Sequence, residues 1–178
     1  IAAQIKLIEA TYHDELVVVD MTTDMNIPAF LVSFTRQPVP QQPSGIGASL
    51  NKYDALTQAL YEALQARDRY NANTVEARSA VLEYYQSYPI LQRAYLCDLL
   101  ALRDLNRFIM RDWHDVSTHI MPDKINEQVS IVANILRQYE CDVYFNHLYQ
   151  HQTGITLTYV LAVGVETFGM MREGFFTP

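Results

Sequence analysis

Two pairs of apolar, β-branched runs, one toward each end of the chain, constrain its fold most strongly. Near the start, Glu15–Asp20 and Ala29–Thr35 have the continuous apolar character of buried strands, and the polar turn MTTDMNIP separates them. Toward the end, Asp142–Asn146 and Ile155–Val163 repeat this arrangement around the polar turn HLYQHQTG. Each pair predicts a hairpin-like unit of two strands.

The sequence between these two units has helical character. A helix is predicted from residue 51 or 52 to about residue 70, where no Gly or Pro interrupts the pattern. Further helices are predicted for residues 73–87, for the charge-rich region 90–113 and for the amphipathic stretch 123–139. Hairpin-like units at both ends with helices between them favour an α+β fold, in which a mixed or antiparallel sheet is covered by helices.

Composition excludes several classes of protein. With 178 residues, 49% of them hydrophobic, the chain is large enough for one globular domain with its own core. The formal net charge of −7 argues against sequence-independent binding of nucleic acid. No apolar run approaches the roughly 20 residues of a membrane span, so no membrane partner is expected. Cys97 and Cys141 form no CxxC pair, which fits a reduced, cytoplasmic setting. Because the chain starts at Ile1 and not at Met, we treat it as a possible fragment.

The predicted helix over residues 51–70 has two different faces. At about 100° per residue, alternating Ala and Leu residues from Ala55 to Leu64 gather on one broad face, which is typical of core packing. On the other side, a polar row recurs at spacings of four, three and four residues and consists of Gln58, Glu62, Gln65 and Arg69.

This polar row has two interpretations. It is an ordinary solvated face, in which Glu62 pairs weakly with Arg69 or with water, or it is a site where Glu62 binds Mg²⁺ and Gln65 adds a hydrogen bond. The preceding Gly45–Gly47 segment, GIG, is interpreted as a glycine turn that allows close backbone approach, although it lacks the GxxxxGK[ST] and GxGxxG phosphate-binding patterns. The pattern alone favours solvation.

The segments DMTTDMNIPAFLV and GIGASLNKYDALTQALYEALQARDRY together resemble the C-terminal half of a YcaO-domain protein. That family has the forms D-[LM]-T-x-D-x-x-[IV]-P, then G-x-G-x, then A-L-x-x-A-L-x-E-x-x-Q-x-R. The matching residues here are Asp20, Thr22, Asp24, Ile27, Pro28, Gly45, Gly47, Ala55, Leu56, Ala59, Leu60, Glu62, Gln65 and Arg67. Toward the end, Val163–Glu166 stands where the family commonly has P-G-[LM]-E. The resemblance implies that residues 1–178 are the C-terminal portion of a single YcaO-like domain.

The resemblance implies an activity and its cofactors. YcaO proteins use ATP to activate a peptide backbone amide oxygen, and a Cys, Ser or Thr side chain or an external sulfide then attacks the activated carbon to give an azoline or a thioamide. Glu62 and Gln65 match the family's E-x-x-Q element at the Mg²⁺ and nucleotide site, and Arg67 matches the arginine after it. On an ideal helix Arg67 falls toward the apolar side, whereas Arg69 shares the face of Glu62, so either arginine is a candidate for the charge.

The resemblance also implies partner molecules, and several of the family's motifs are lacking from this sequence. The family's S-x-x-E-x-x-E and E-x-x-E-R motifs are not in this sequence, so we expect them upstream of Ile1 and expect this fragment alone to be inactive. A P-x-P-x-P tail is also lacking. The expected substrate is a ribosomally made peptide, with a leader-peptide-binding partner protein and a homodimer as further expectations. The alternatives are a non-catalytic YcaO-like scaffold that binds a peptide or a partner, and an unrelated acidic α+β binding domain.

Other polar clusters give weaker signals. His147 and His151 are four residues apart but lie in a predicted turn without the glutamate of HExxH, so a surface turn is favoured over zinc. His114 and His119 are interpreted as loop residues. A third group is aromatic, and packing is favoured over stacking on adenine or a peptide for these side chains, Tyr84, Tyr85 and Tyr88.

Overall fold

The computed structural model describes residues 1–36, 42–69, 72–89, 92 and 109–164. The chain divides into two compact units, Ile1–Ile120 and Met121–Pro178. We number the helices and strands in chain order as α1 (Ala2–Tyr12), β1 (Leu16–Asp20), β2 (Ala29–Phe34), β3 (Ser44–Ala48), α2 (Lys52–Asp68), α3 (Ala72–Tyr84), α4 (Ile125–Gln138), β4 (Asp142–Gln150) and β5 (Thr156–Val163). Short 3₁₀ turns span Tyr85–Ser87 and Trp113–Asp115. The predicted α+β class with antiparallel sheet is confirmed.

The first unit contains a three-stranded antiparallel sheet in the order β1-β2-β3. Because side chains alternate along a strand, Phe30, Val32 and Phe34 of β2 share one face, and all three are buried. The alanines and leucines of α2 pack on that face and form the core cluster with them. The helix begins where predicted, because the side chain of Asn51 accepts hydrogen bonds from the backbone N–H groups of Tyr53 and Asp54.

Helix α1 was not predicted, since the sequence analysis placed the first element at β1. Its N-cap residue Ile1 and its residues Ile5, Ile8 and Tyr12 pack against the core cluster of the first unit. These positions follow the i, i+4, i+7, i+11 spacing of one helix face, so the sequence did carry a signal. The helix ends at His13, whose left-handed φ of 50° turns the chain into β1.

The segment from Arg111 to His119 closes the end of the first unit where α2 begins. The buried ammonium of Lys52 donates hydrogen bonds to the carbonyl oxygens of Trp113 at 2.8 Å and Val116 at 3.1 Å. It also lies 5.0 Å from the centroid of the Trp113 ring, which stacks on Phe30. Burial removes the water that would solvate this charge, and these contacts compensate for that loss.

The turn between β1 and β2 is connected to the same segment by an ion pair. Asp20 Oδ2 lies 2.7 Å from the Nη1 of Arg111, whose Nη2 donates to the carbonyl oxygen of Asp115. Asp20 Oδ1 accepts a hydrogen bond from the backbone N–H of Thr22. Burial by itself would raise the pKa of Asp20, but the hydrogen bonds from Thr22 and the Arg111 guanidinium together lower it below its ordinary value.

The lowered pKa of Asp20 makes the free energy of unfolding depend on pH. Because the folded state binds the proton less tightly than the unfolded state, the stabilisation is present above the unfolded pKa of about 4 and is lost as pH falls through the folded value. We expect Asp20→Asn to reduce stability by about 1 kcal/mol at pH 7 and by much less near pH 3. Urea denaturation at both pH values measures this, with Glu76→Gln on the exposed side of α3 as control. An equal loss at both pH values would contradict the assignment to charge.

The second unit contains α4 and the antiparallel pair β4-β5. The helix agrees with the predicted stretch 123–139. Strand β4 is longer than predicted and continues to Gln150, so the prediction that His147 lies in a turn is wrong. His147 pairs with Thr158 across the hairpin, where a register irregularity between His147 and Tyr149 accommodates the extra residue. The connecting turn is therefore shorter than its counterpart between β1 and β2.

Several predicted features fall partly or wholly outside the described residues. They are most of the region 90–113, Cys97, the end of the Val163–Glu166 motif and the C-terminal tail. Among the described residues, no helix is long and apolar enough to cross a membrane.

Candidate functional site

The polar row of α2 lies on the exposed side of the helix. Gln58, Glu62 and Gln65 are all exposed, while Ala59, Leu60 and Ala63 between them are buried. Arg69 follows at the C-cap, where its backbone N–H is bonded to Gln65 O. The helix thus presents a carboxylate and an amide one turn apart on one open face, as the sequence predicts.

The Glu62 carboxylate is held by a backbone group of the neighbouring strand. Glu62 Oε2 accepts a hydrogen bond from the backbone N–H of Ile46 at 2.7 Å, a distance typical of a charge-assisted bond. Neither sequence-based interpretation anticipated this partner. Within the described part of the chain, only Oε2 has a hydrogen-bond partner, so Oε1 is available to a ligand.

The interpretation of Gly45–Gly47 as a turn is wrong, because these residues belong to β3, which pairs with β2. Their glycines allow close approach, but to the protein's own helix. A Cβ at Gly47 would lie 2.1 Å from Ala55 O, and one at Gly45 would lie 2.3 Å from both Ala59 O and Ala63 N. The absence of side chains therefore lets β3 and α2 touch backbone to backbone, which brings the Ile46 N–H within reach of Glu62.

Arg67 is on a different side of α2 from Glu62. Its guanidinium carbon lies 6.0 Å from the ring centroid of Tyr12 and 5.9 Å from that of Phe34, within the range of cation–π contact. Its Nε is buried and has no hydrogen-bond partner among the residues that the structure describes. Next to it, Tyr12 donates a hydrogen bond to Asp68 at 3.0 Å, and that bond raises the pKa of Tyr12. The structure thus brings Glu62 and Gln65 onto one face and directs Arg67 toward α1 and the sheet.

The residues of the DMTTDMNIP motif shape the β1–β2 turn. In addition to the bonds of Asp20, the hydroxyl of Thr22 accepts from Ala29 N at 3.3 Å and fastens the two ends of the turn. Asn26 has a left-handed φ of 54°, and its carbonyl oxygen lies 3.0 Å from His119 Nε2. The motif therefore has a visible structural role. Arg111 and His119 contact Asp20 and Asn26 of this turn. The sequence analysis did not identify them as partners of the turn, because they lie about 90 residues away.

The remaining predicted candidates have local contacts. The Nδ1 of His147 lies 3.1 Å from Thr158 Oγ1, and that of His151 lies 2.7 Å from Thr153 Oγ1. His114 lies in the 3₁₀ turn after Asp112, whose carboxylate accepts from its backbone N–H. Three tyrosines cluster at the end of α3: the ring of Tyr84 lies 5.7 Å from the rings of both Tyr85 and Tyr88, and Tyr85 is buried.

The donor set around Glu62 fits a magnesium ion held mainly by its nucleotide. Within the described ranges, no group of three or more His, Cys, Asp or Glu side chains could hold a metal ion. Mg²⁺ does not need such a group, because it usually keeps several waters and binds through one or two carboxylates together with substrate phosphates. Glu62 can supply one carboxylate oxygen, and Gln65 an amide on the same face.

Comparison with protein families decides the classification of the chain. Residues 1–166 match the family model described as "YcaO cyclodehydratase, ATP-ad Mg2+-binding". This chain belongs to the YcaO family. The matched range includes both segments that carry the resemblance in the sequence. Among curated proteins, no sequence matches this YcaO chain significantly.

Solved structures show the same fold. The heterocyclase TruD aligns over 94% of this YcaO chain at 18% identity with a TM-score of 0.65. A heterocyclase in complex with substrate and cofactor aligns over 94% of the chain at 20% identity, also with a TM-score of 0.65. In both cases the chain spans 22% of the other protein's length.

Proposed function

We propose that this chain is part of an ATP-dependent enzyme that phosphorylates a peptide backbone amide oxygen and so drives azoline formation. The observation that carries the proposal is the placement of the family's E-x-x-Q pair, Glu62 and Gln65, together on the exposed face of α2. The chain also belongs to a family described as ATP- and Mg²⁺-binding, which supports binding of Mg²⁺ and ATP at that face. We propose that residues 1–178 are the C-terminal portion of one YcaO-like domain.

The chemistry explains why a nucleotide and a cation are needed. An amide oxygen is a poor leaving group, and transfer of a phosphoryl group to it makes its departure as phosphate possible. In this proposal Glu62 contributes a carboxylate oxygen to Mg²⁺, Gln65 donates or accepts a hydrogen bond at the nucleotide, and Arg69 supplies positive charge near the phosphates. Arg67, whose guanidinium contacts Tyr12 and Phe34, instead supports the end of α2. The groups that act on the peptide itself are not assigned.

The proposed substrate is a ribosomally made peptide in which Cys, Ser or Thr follows the activated amide. A related fold is known in complex with substrate and cofactor, which supports a fold of this kind holding both. A leader-peptide-binding partner, a homodimer and a cytoplasmic location stay predictions. A thioamide is the alternative product, formed when external sulfide attacks the same activated carbon.

Mass spectrometry tests the proposal directly. The protein as the cell makes it is incubated with Mg-ATP and candidate precursor peptides encoded beside its gene. We expect the peptide to lose the mass of one water per ring, with one phosphate released from ATP each time. Replacement of oxygen by sulfur would retain the amide activation and change the product to a thioamide. Peptide binding without any consumption of ATP would overturn the enzyme assignment in favour of a YcaO-like scaffold.

A further inference from the structure

The Glu62 side chain meets the outer edge of the first sheet. Among the described residues, β3 pairs only with β2, so the N–H groups on its other side need different acceptors. Glu62 Oε2 supplies one of these acceptors by taking the Ile46 N–H at 2.7 Å. The bond is made by the backbone of Ile46, and the Ile46 side chain is 52% exposed.

This bond depends on the glycines on either side of Ile46. Any Cβ at Gly45 or Gly47 would collide with backbone atoms of α2, and one at Gly45 would also lie 2.7 Å from the Cβ of Glu62. A larger residue at either position would push β3 away from the helix and break the bond from Ile46. The glycines therefore set the distance between the strand amide and the carboxylate.

We propose that the Ile46 amide is a positioning group that holds Glu62 Oε2 and thereby presents Oε1 to the divalent cation. The inference rests on the proposed function of Glu62. A free glutamate side chain loses rotamer entropy when it binds an ion, whereas a carboxylate already fixed by one oxygen has lost much of it on folding. Hydrogen-bonded partners of metal-binding side chains contribute to affinity for this reason, and their removal typically weakens metal binding by about 10- to 100-fold.

The test removes the Ile46 N–H without changing any side chain, and the ester also weakens the Gly45 carbonyl oxygen as an acceptor. An α-hydroxy acid with the isoleucine side chain is incorporated at position 46, which converts the amide to an ester that cannot donate. Binding of Mn²⁺, a spectroscopic substitute for Mg²⁺ that also prefers carboxylate oxygen, is measured by electron paramagnetic resonance with a non-hydrolysable ATP analogue present. We expect the Kd for Mn²⁺ to rise about tenfold or more.

A matched ester elsewhere in the first unit separates positioning from stability. The backbone N–H of Leu16 donates to Glu9 Oε1 at 3.0 Å, which is the same kind of bond between a strand amide and a glutamate side chain. An ester at position 16 is expected to lower the urea midpoint and to leave the Kd for Mn²⁺ unchanged. If the ester at position 46 also changes only the urea midpoint, the positioning role is wrong.

Glu62→Gln distinguishes failure of this inference from failure of the proposed function. We expect Glu62→Gln alone to bind Mn²⁺ much more weakly than wild type does. Adding the ester at position 46 to Glu62→Gln should weaken Mn²⁺ binding no further. Normal Mn²⁺ binding by the ester variant together with weak binding by Glu62→Gln would overturn the inference alone. Equal binding by wild type and Glu62→Gln would overturn the metal-binding role of Glu62, and the inference with it.

Discussion

Gly47→Ala is expected to reduce the stability of the first unit by about 3 kcal/mol or more, because the new methyl group would overlap the helix backbone. The added Cβ would lie 2.1 Å from Ala55 O and 2.6 Å from Ala59 N, and neither atom can move without shifting a turn of α2. Gly45→Ala should behave in the same way. Urea denaturation followed by the fluorescence of Trp113, the single tryptophan of the chain, measures the effect in the unit that contains both elements.

The control for both glycines is the residue between them. Ile46→Ala keeps the β3 backbone and removes a side chain that is half exposed, so we expect a change of less than about 1 kcal/mol. If Gly47→Ala is no more destabilising than Ile46→Ala, then β3 does not lie against α2 as described.

Glu62→Gln and Glu62→Ala should separate two roles of one side chain. The glutamine oxygen can still accept the Ile46 N–H, so we expect the stability of Glu62→Gln to stay within about 1 kcal/mol of wild type. Its affinity for Mg-ATP should nevertheless fall at least about tenfold, because the carboxylate charge that favours Mg²⁺ is gone. Glu62→Ala should lose the same affinity and, in addition, about 1 kcal/mol of stability.

Mg-ATP is titrated into the full-length natural protein, and calorimetry gives its affinity. Urea denaturation of the same variants gives their stability. Gln58→Ala is the matched control, since Gln58 is exposed in the same row one turn before Glu62. Unchanged Mg-ATP affinity in Glu62→Gln would show that the site lies elsewhere.

The elements that could be predicted from the sequence are those whose apolar side chains repeat at a regular spacing. The runs that became β1 and β2, the two-faced pattern of α2 and the amphipathic α4 were all identified with boundaries accurate to within a few residues. In these elements burial of side chains decides the structure, and the sequence states which side chains are apolar. The YcaO family assignment also followed from the sequence, through the motif residues on β1, the β1–β2 turn, β3 and α2.

Helix α1 was missed although its apolar residues repeat at helical spacing, whereas β3 was missed because it depends on contacts between distant residues. Strand β3 contains Gly45 and Gly47, which carry no side chain from which burial could be inferred, and its partner surface is the backbone of α2. The bond from Ile46 to Glu62 could not be predicted either, because it follows from that close approach. Arg67 illustrates the opposite case: helical geometry placed it away from Glu62, and the structure finds it against Tyr12 and Phe34. The nucleotide-binding role of Glu62, Gln65 and Arg69 stays a prediction.

The buried ammonium of Lys52 has a consequence for the order of folding. Its two carbonyl acceptors are 61 and 64 residues further along the chain, so the start of α2 cannot satisfy this charge by local contacts. Closing a loop of that length costs entropy before any contact compensates for it. We therefore expect the first turn of α2 to reach its native packing late, after the strands and the rest of the helix have assembled. In kinetic terms, docking of the Trp113–Val116 segment completes the first unit and does not nucleate it.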